Sequence, residues 1–200
     1  AYSDFLLGQC SSNISKLKVL LDCANGAASE IAPDVFKKAG CNISHIYSQP
    51  NGLNINKDCG STHISNLANE VVKGGFDIGF AYDGDADRLL AVSEKGEIID
   101  GDVLMSALTL FLKNKGLLYK DTLVVTEMSN MGVDVFGKKN SVKIVRTKVG
   151  DRYVVEEMQK SGYAIGGEQS GHIILLPFST TGDGILASLK IAQILAENKL

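Results

Sequence analysis

The stretch Phe76-Asp77-Ile78-Gly79-Phe80-Ala81-Tyr82-Asp83-Gly84-Asp85-Ala86-Asp87-Arg88 constrains the fold of this chain more than any other. An apolar run reads as a buried strand, and it ends in three carboxylates at alternate positions with a cation directly behind them. Asp83, Asp85 and Asp87 repel one another unless a cation lies between them. Gly84 and Ala86 are too small to crowd that centre, and Gly84 permits a tight or left-handed turn. Open α/β sheets place their ligands at the carboxyl ends of strands, which is where these aspartates fall.

Three readings compete for the loop. One is a solvated acidic turn. The second is an EF-hand, with Asp83, Asp85, Asp87 and Glu94 at positions 1, 3, 5 and 12. It fails because Arg88 stands where the sharp turn needs glycine, and because a strand precedes the loop rather than a helix. The third is a phosphoryl-transfer metal site, in which hard oxygen ligands hold Mg²⁺ and Arg88 reaches a phosphate or carboxylate. The third is favoured if the rest of the chain serves a phosphorylated substrate.

Around this loop, strands and helices alternate. Leu17 to Asp22 reads as a strand, Ser29 to Ala39 as a helix closed by Gly40, Ile43 to Tyr47 as a strand, and Leu67 to Lys73 as a helix stopped by Gly74-Gly75. Residues 1 to 16 read as a linker or the tail of a helix. After the aspartates, Leu89 to Val92 and Ile98-Ile99 form a short hairpin. Asp100-Gly101-Asp102 marks a boundary, with Asp102 placed to cap a helix from Val103 to Leu112. A second unit then carries strands at Leu123–Thr126, Val142–Arg146 and Ile173–Leu176. Its helices are expected at Asn130–Phe136, Asp151–Lys160 and Ile185–Glu197. The halves echo one another weakly, Val19-Leu20-Leu21 with Asp34-Val35-Phe36 against Leu123-Val124-Val125 with Asp134-Val135-Phe136. The expected fold class is α/β: two similar α/β domains, 1–100 and 101–200, with mixed, mainly parallel sheets flanked by helices.

Composition excludes several functions. A net charge of −3 offers no basic field for nucleic acid or an anionic membrane. The most apolar run, Val103 to Leu112, is too short to span a bilayer, and no secretion signal opens the chain. Cys10, Cys23, Cys41 and Cys59 form no CxxC pair and read as reduced thiols of a cytoplasmic protein. Nucleotide-binding GxGxxG and GxxxxGK[ST] patterns are missing.

A second constellation, Gly166-Gly167-Glu168-Gln169-Ser170-Gly171-His172, places Glu168, Ser170 and His172 at alternate positions. In an extended segment they share one face and can hold sugar hydroxyls, since Glu accepts while Ser and His do either. A hairpin turn with polar side chains toward solvent fits the same residues. His45 and His63 lack ligand spacing and read as surface or hydrogen-bonded residues.

Asp83-Gly84-Asp85-Ala86-Asp87-Arg88 together with Gly167-Glu168-Gln169-Ser170-Gly171-His172 resembles the α-D-phosphohexomutases, most closely their phosphoglucosamine branch. Supporting strings are Leu21-Asp22-Cys23-Ala24-Asn25-Gly26-Ala27, Asn54-Ile55-Asn56 with Cys59-Gly60-Ser61-Thr62-His63, Arg146 to Val154, and Thr180-Thr181-Gly182-Asp183-Gly184. The resemblance implies Mg²⁺ on Asp83, Asp85 and Asp87, an active-site Arg88, sugar binding by Glu168 and Ser170 with His172 close behind, and an active-site Lys148, for which a structural ion pair is the alternative. Asp151 stands where phosphomannomutase relatives often show His.

The family's four-domain enzymes shuttle a phosphoryl group between a phosphoserine and a hexose phosphate through a 1,6-bisphosphate. Here that implies glucosamine 6-phosphate and glucosamine 1-phosphate. The serine's Ser-His-Asn-like loop and the C-terminal phosphate-binding domain have no counterpart in these 200 residues, which resemble domains 2 and 3. Missing domains 1 and 4 are therefore the expected partners, the fragment alone is expected to be inactive, and a homodimer stays open. The alternatives are a phosphomannomutase/phosphoglucomutase, a Ca²⁺-binding structural module, and a phosphatase-like enzyme with Asp83 as nucleophile.

Overall fold

The computed structural model describes residues 1–198. In chain order its first elements are α1 (Tyr2–Gly8), β1 (Lys18–Asp22), α2 (Ala28–Lys38), β2 (Asn42–Ile46), α3 (Ser65–Gly74), β3 (Ile78–Tyr82), β4 (Leu89–Ser93) and β5 (Ile98–Ile99). There follow α4 (Gly101–Asn114), β6 (Thr122–Thr126), α5 (Gly132–Asn140), β7 (Lys143–Thr147), α6 (Asp151–Ser161), β8 (Ile165–Gly167), β9 (Ile173–Leu175) and α7 (Gly184–Glu197). They make two compact units, one of residues 1–99 with the segment from Gly184, the other of residues 100–183.

The first unit is built on a five-stranded sheet in the order β2-β1-β3-β4-β5. β1 runs parallel to β2 and β3, while β3–β4 and β4–β5 are antiparallel. All five residues of β3 are buried, as a central strand covered on both faces requires. Strand β2 lies at the edge and is correspondingly polar. Helix α2 buries Ala28, Ala32, Val35 and Phe36, one face at helical spacing, and Phe36 meets Phe80 at a ring-centroid distance of 5.9 Å. Leu67 and Val71 of α3 pack with Leu20, Ala81 and Val92. Gly75, left-handed at φ +59°, ends α3.

The second unit carries a four-stranded sheet in the order β7-β6-β8-β9. Its pairings are parallel, parallel and antiparallel, the same succession as β2-β1-β3-β4. The two sheets therefore share a topology, as the sequence echo suggested. In each, the strand after the central one reverses into an antiparallel neighbour, and one of the two singled-out loops makes that reversal.

One local expectation is corrected. Asp100, not Asp102, caps α4: its Oδ1 accepts from the Val103 N–H at 3.1 Å. Asp102 lies inside the helix, 3% exposed, and accepts from the Asn130 N–H at 2.7 Å. Helix α7 follows the second unit in the chain and packs within the first unit. Its Ser188 hydroxyl bonds the Tyr82 hydroxyl at 2.8 Å, and Lys190 donates to the Gln9 carbonyl at 2.5 Å. Gly184 to Gln193 are all buried, so this helix is covered around its circumference. The segment read as a linker or the tail of a helix holds α1. All four cysteines are free thiols, with Cys23, Cys41 and Cys59 buried. No described helix is long and apolar enough to cross a membrane.

Candidate functional site

The three aspartates follow β3 directly. Among the described residues, Asp83, Asp85 and Asp87 each offer a carboxylate oxygen, and these oxygens lie within 4.8 Å of one another. A turn closes through the Ala86 N–H to the Asp83 carbonyl at 3.2 Å, with Ala86 left-handed at φ +62°. Asp83 Oδ1 accepts from the Arg88 N–H at 3.2 Å, and the Arg88 guanidinium Nε stands 3.8 Å from Asp83 Oδ2. Burial pushes the Asp83 carboxyl up to about 6. The Arg88 N–H opposes that rise, while Asp87 and Asp85 add to it. Converging carboxylates that resist their own charge are a donor set suited to a hard divalent cation.

The loop stands on two neighbouring segments. The Ala27 N–H donates to the Gly84 carbonyl at 2.9 Å, and a Cβ on Gly26 would come within 2.2 Å of that same oxygen. A Cβ on Gly60 would come within 2.5 Å of the Tyr82 carbonyl, and one on Gly84 within 2.7 Å of Asn56 Nδ2. Asp22, fully buried at the end of β1, gathers this support. Its two oxygens accept from the Ala24 N–H at 3.0 Å and the Gly60 N–H at 2.9 Å. Burial holds its carboxyl above the usual range, against those two bonds. The strings 21–27 and 54–63 thus buttress the aspartates. Sequence reasoning used these strings for the resemblance but gave Asp22, Gly26 and Gly60 no role; a carboxylate closing an apolar strand before a run of small residues was the available signal.

In the second unit the segment 168–172 is a turn between β8 and β9, not an extended strand. The Gly171 N–H donates to the Glu168 carbonyl at 3.0 Å, with Gly171 at φ +96°. The turn keeps Glu168 and Ser170 together: the Ser170 hydroxyl donates to Glu168 Oε2 at 3.3 Å. It separates His172, which is 5% exposed and so close to Gly182 that a Cβ there would come within 2.4 Å of the ring. The expected shared face of three residues is therefore a face of two, because the reversal breaks the alternation.

Glu168 Oε1 accepts from the Gly150 N–H at 3.0 Å, where Gly150 precedes α6 at φ +124°. That bond ties the loop bearing Lys148 to the loop bearing Glu168. Lys148 is exposed, with Nζ 6.0 Å from the centroid of the Tyr153 ring. The start of α4 holds the turn from below. The Gly101 N–H donates to the Gln169 carbonyl and Gln169 Nε2 to Asp100 Oδ2, each at 3.0 Å. Gly101 and Gly150 carried no functional expectation. His45 bonds Ser48 at 2.6 Å and His63 bonds Thr62 at 3.2 Å, both exposed.

Comparison with known proteins follows this division. Residues 1–96 match the family model described as phosphoglucomutase/phosphomannomutase, alpha/beta/alpha domain II, and residues 100–200 match domain III. Helix α7 thus falls in the domain III match while packing in the first unit. A phosphoglucosamine mutase of Caldicellulosiruptor bescii is 53% identical over 98% of this chain and 44% of its own length. One of Clostridioides difficile is 52% identical over 99% and 44%. The chain therefore spans under half the length of these curated relatives. Among solved structures, a phosphoglucomutase/phosphomannomutase family protein of Burkholderia thailandensis has TM-score 0.86 at 22% identity, covering 98% of this chain and 43% of that one. The N-acetylphosphoglucosamine mutase of Aspergillus fumigatus, in complex with GlcNAc-6P and magnesium, has TM-score 0.78 at 19% identity over 99% and 51%. From its strand order to its matched domains, the chain belongs to the phosphoglucomutase/phosphomannomutase family.

Proposed function

We propose that this chain is the metal- and sugar-binding part of a phosphosugar mutase interconverting glucosamine 6-phosphate and glucosamine 1-phosphate through a phosphoserine and a 1,6-bisphosphate. The observation that carries the reading is the convergence of the Asp83, Asp85 and Asp87 oxygens within 4.8 Å. The choice of glucosamine is supported by relatives of about half identity that bear the phosphoglucosamine mutase name. The three aspartates would hold Mg²⁺, which supplies positive charge to offset that of a transferring phosphoryl group.

The chain's own residues do the rest. Arg88, exposed beside Asp83, offers a guanidinium to a phosphate oxygen. Glu168 accepts hydrogen bonds from sugar hydroxyls, oriented by the Gly150 N–H, with Ser170 beside it. Buried His172 supports that turn from behind. Exposed Lys148 would move a proton to or from a sugar hydroxyl. The phosphoserine and phosphate clamp belong to domains outside these 200 residues, so the chain alone turns over no substrate.

The test has two arms. Asp85→Ala and Glu168→Ala in the full-length enzyme should each lower kcat/KM for glucosamine 6-phosphate by about a hundredfold or more. The purified 200-residue chain should show no turnover. Full activity in both variants, or turnover by the chain alone, would reject the assignment, and faster turnover of mannose or glucose phosphates would move it to the sister enzymes.

A further inference from the structure

The metal loop has a fastener that comes from far along the chain. The backbone N–H of Gly184, the first residue of α7, donates to the Ala86 carbonyl at 2.9 Å. Ala86 stands between Asp85 and Asp87 in the left-handed conformation, which costs a residue with a Cβ about 1–2 kcal/mol and so needs outside support. A Cβ on Gly184 would come within 2.6 Å of the Arg88 carbonyl oxygen and 2.9 Å of the Ala86 oxygen. Both are backbone atoms, so no side-chain rotation relieves the overlap. Gly184 is not itself left-handed, so close approach, rather than backbone freedom, is what its missing side chain provides.

The far side of this contact is firm. Helix α7 is buried from Gly184 to Gln193 and pinned by the Tyr82–Ser188 and Lys190–Gln9 hydrogen bonds. The Ala27 N–H holds the first half of the loop at Gly84, and the Gly184 N–H holds the second half at Ala86. Each hydrogen bond falls on a small residue between two aspartates. The backbone is therefore gripped at alternate positions, leaving the intervening side chains to converge.

We infer that Gly184 is a positioning residue for the divalent cation bound by Asp83, Asp85 and Asp87: its contact with Ala86 and Arg88 holds the turn that aims the carboxylates at one centre. This rests on the metal reading above. A cation that draws the carboxylates together stiffens the turn and with it the bond from Gly184 to Ala86.

The experiment uses the 200-residue chain with Mg²⁺ as the probe. Calorimetric titration should show saturable binding, lost in Asp85→Ala and weakened about tenfold or more in Gly184→Ala, with the circular dichroism unchanged. Residue-resolved amide exchange on the unaltered chain should show the Gly184 N–H exchanging about tenfold more slowly in saturating Mg²⁺. That slowing should vanish in Asp85→Ala. A merely structural glycine would be equally protected with and without the ion, which would overturn the inference even if Gly184→Ala failed to fold. Native Mg²⁺ affinity in a folded Gly184→Ala would overturn it too. Binding that survives in Asp85→Ala, or no binding by the chain at all, would instead remove the metal reading on which it stands.

Discussion

Gly101 and Gly132 each open a helix in the second unit, α4 and α5, yet the structure assigns them opposite responses to alanine. Alanine gains up to about 1 kcal/mol over glycine in a helix. At Gly132 the added Cβ meets only the Asn130 side chain, its Oδ1 at 3.2 Å and its Cγ at 4.0 Å, and a side chain can yield. The change there should stay within about 1 kcal/mol of neutral. At Gly101 the Cβ would lie 2.3 Å from the Glu168 carbonyl oxygen, 2.7 Å from that of Gln169 and 2.8 Å from the Gly171 nitrogen. Forcing the turn away costs about 1–3 kcal/mol of overpacking, plus about 1 kcal/mol for the hydrogen bond from the Gly101 N–H to Gln169. Net of the helix gain, Gly101→Ala should destabilise by about 1–3 kcal/mol. Urea unfolding of the second unit, compared at constant m, reads both variants directly. The Gly101 amide should also exchange faster in the variant. Equal midpoints for Gly101→Ala and Gly132→Ala would refute the claim that the turn bearing Glu168 sits on the start of α4.

Other expectations follow from the same contacts. Asp22 is raised by burial, so the native chain keeps a proton that the unfolded chain has lost; stability should fall as pH climbs from about 4 through the raised value and then level off. Asp22→Asn should remove that part of the slope in urea midpoints taken across pH, and an equally steep slope in the variant would contradict it. Gly150→Ala forces a side chain onto φ +124° and should cost about 1–3 kcal/mol, seen as a lower melting temperature; an unchanged one would show that the bond to Glu168 does not fix that backbone. Burial pushes Cys23 and Cys41 up to about 12 and Cys59 up to about 11, leaving little thiolate. Iodoacetamide at pH 8 should therefore spare all three in the native chain and label them in urea; rapid native labelling of Cys23 would place it outside the core.

The aspartates were legible because alternation, small spacers and a preceding apolar strand occupy one short stretch. Everything that makes their positions definite lies elsewhere: only the folded chain shows Gly60 against Tyr82, Gly26 against Gly84, and Asp22 bonding the backbone at Ala24 and Gly60. Asp100 and Asp102 could both cap a helix by residue type. The choice between them depended on where α4 begins, and that start is fixed by a turn about seventy residues later. Alternation at Glu168, Ser170 and His172 was real in the sequence but was cut by a reversal whose signal, Gly171, was equally compatible with a strand. Helix α7 was legible as a helix, while its packing within the first unit was a long-range fact with no local trace.

That last feature bears on how the protein is made. The first unit is interrupted: the ribosome must deliver residues 100–183 between β5 and α7. At typical synthesis rates this takes on the order of ten seconds. Throughout that interval the turn at Ala86 lacks its bond from Gly184, and the surface of Tyr82 that Ser188 will cover stays open. A substitution that slows the second unit's folding would thus delay completion of the aspartate turn in the first, although it touches none of the aspartates. Pulse-labelled chains could show this lag as Mg²⁺-dependent protease resistance that arrives late in the first unit when only the second has been altered.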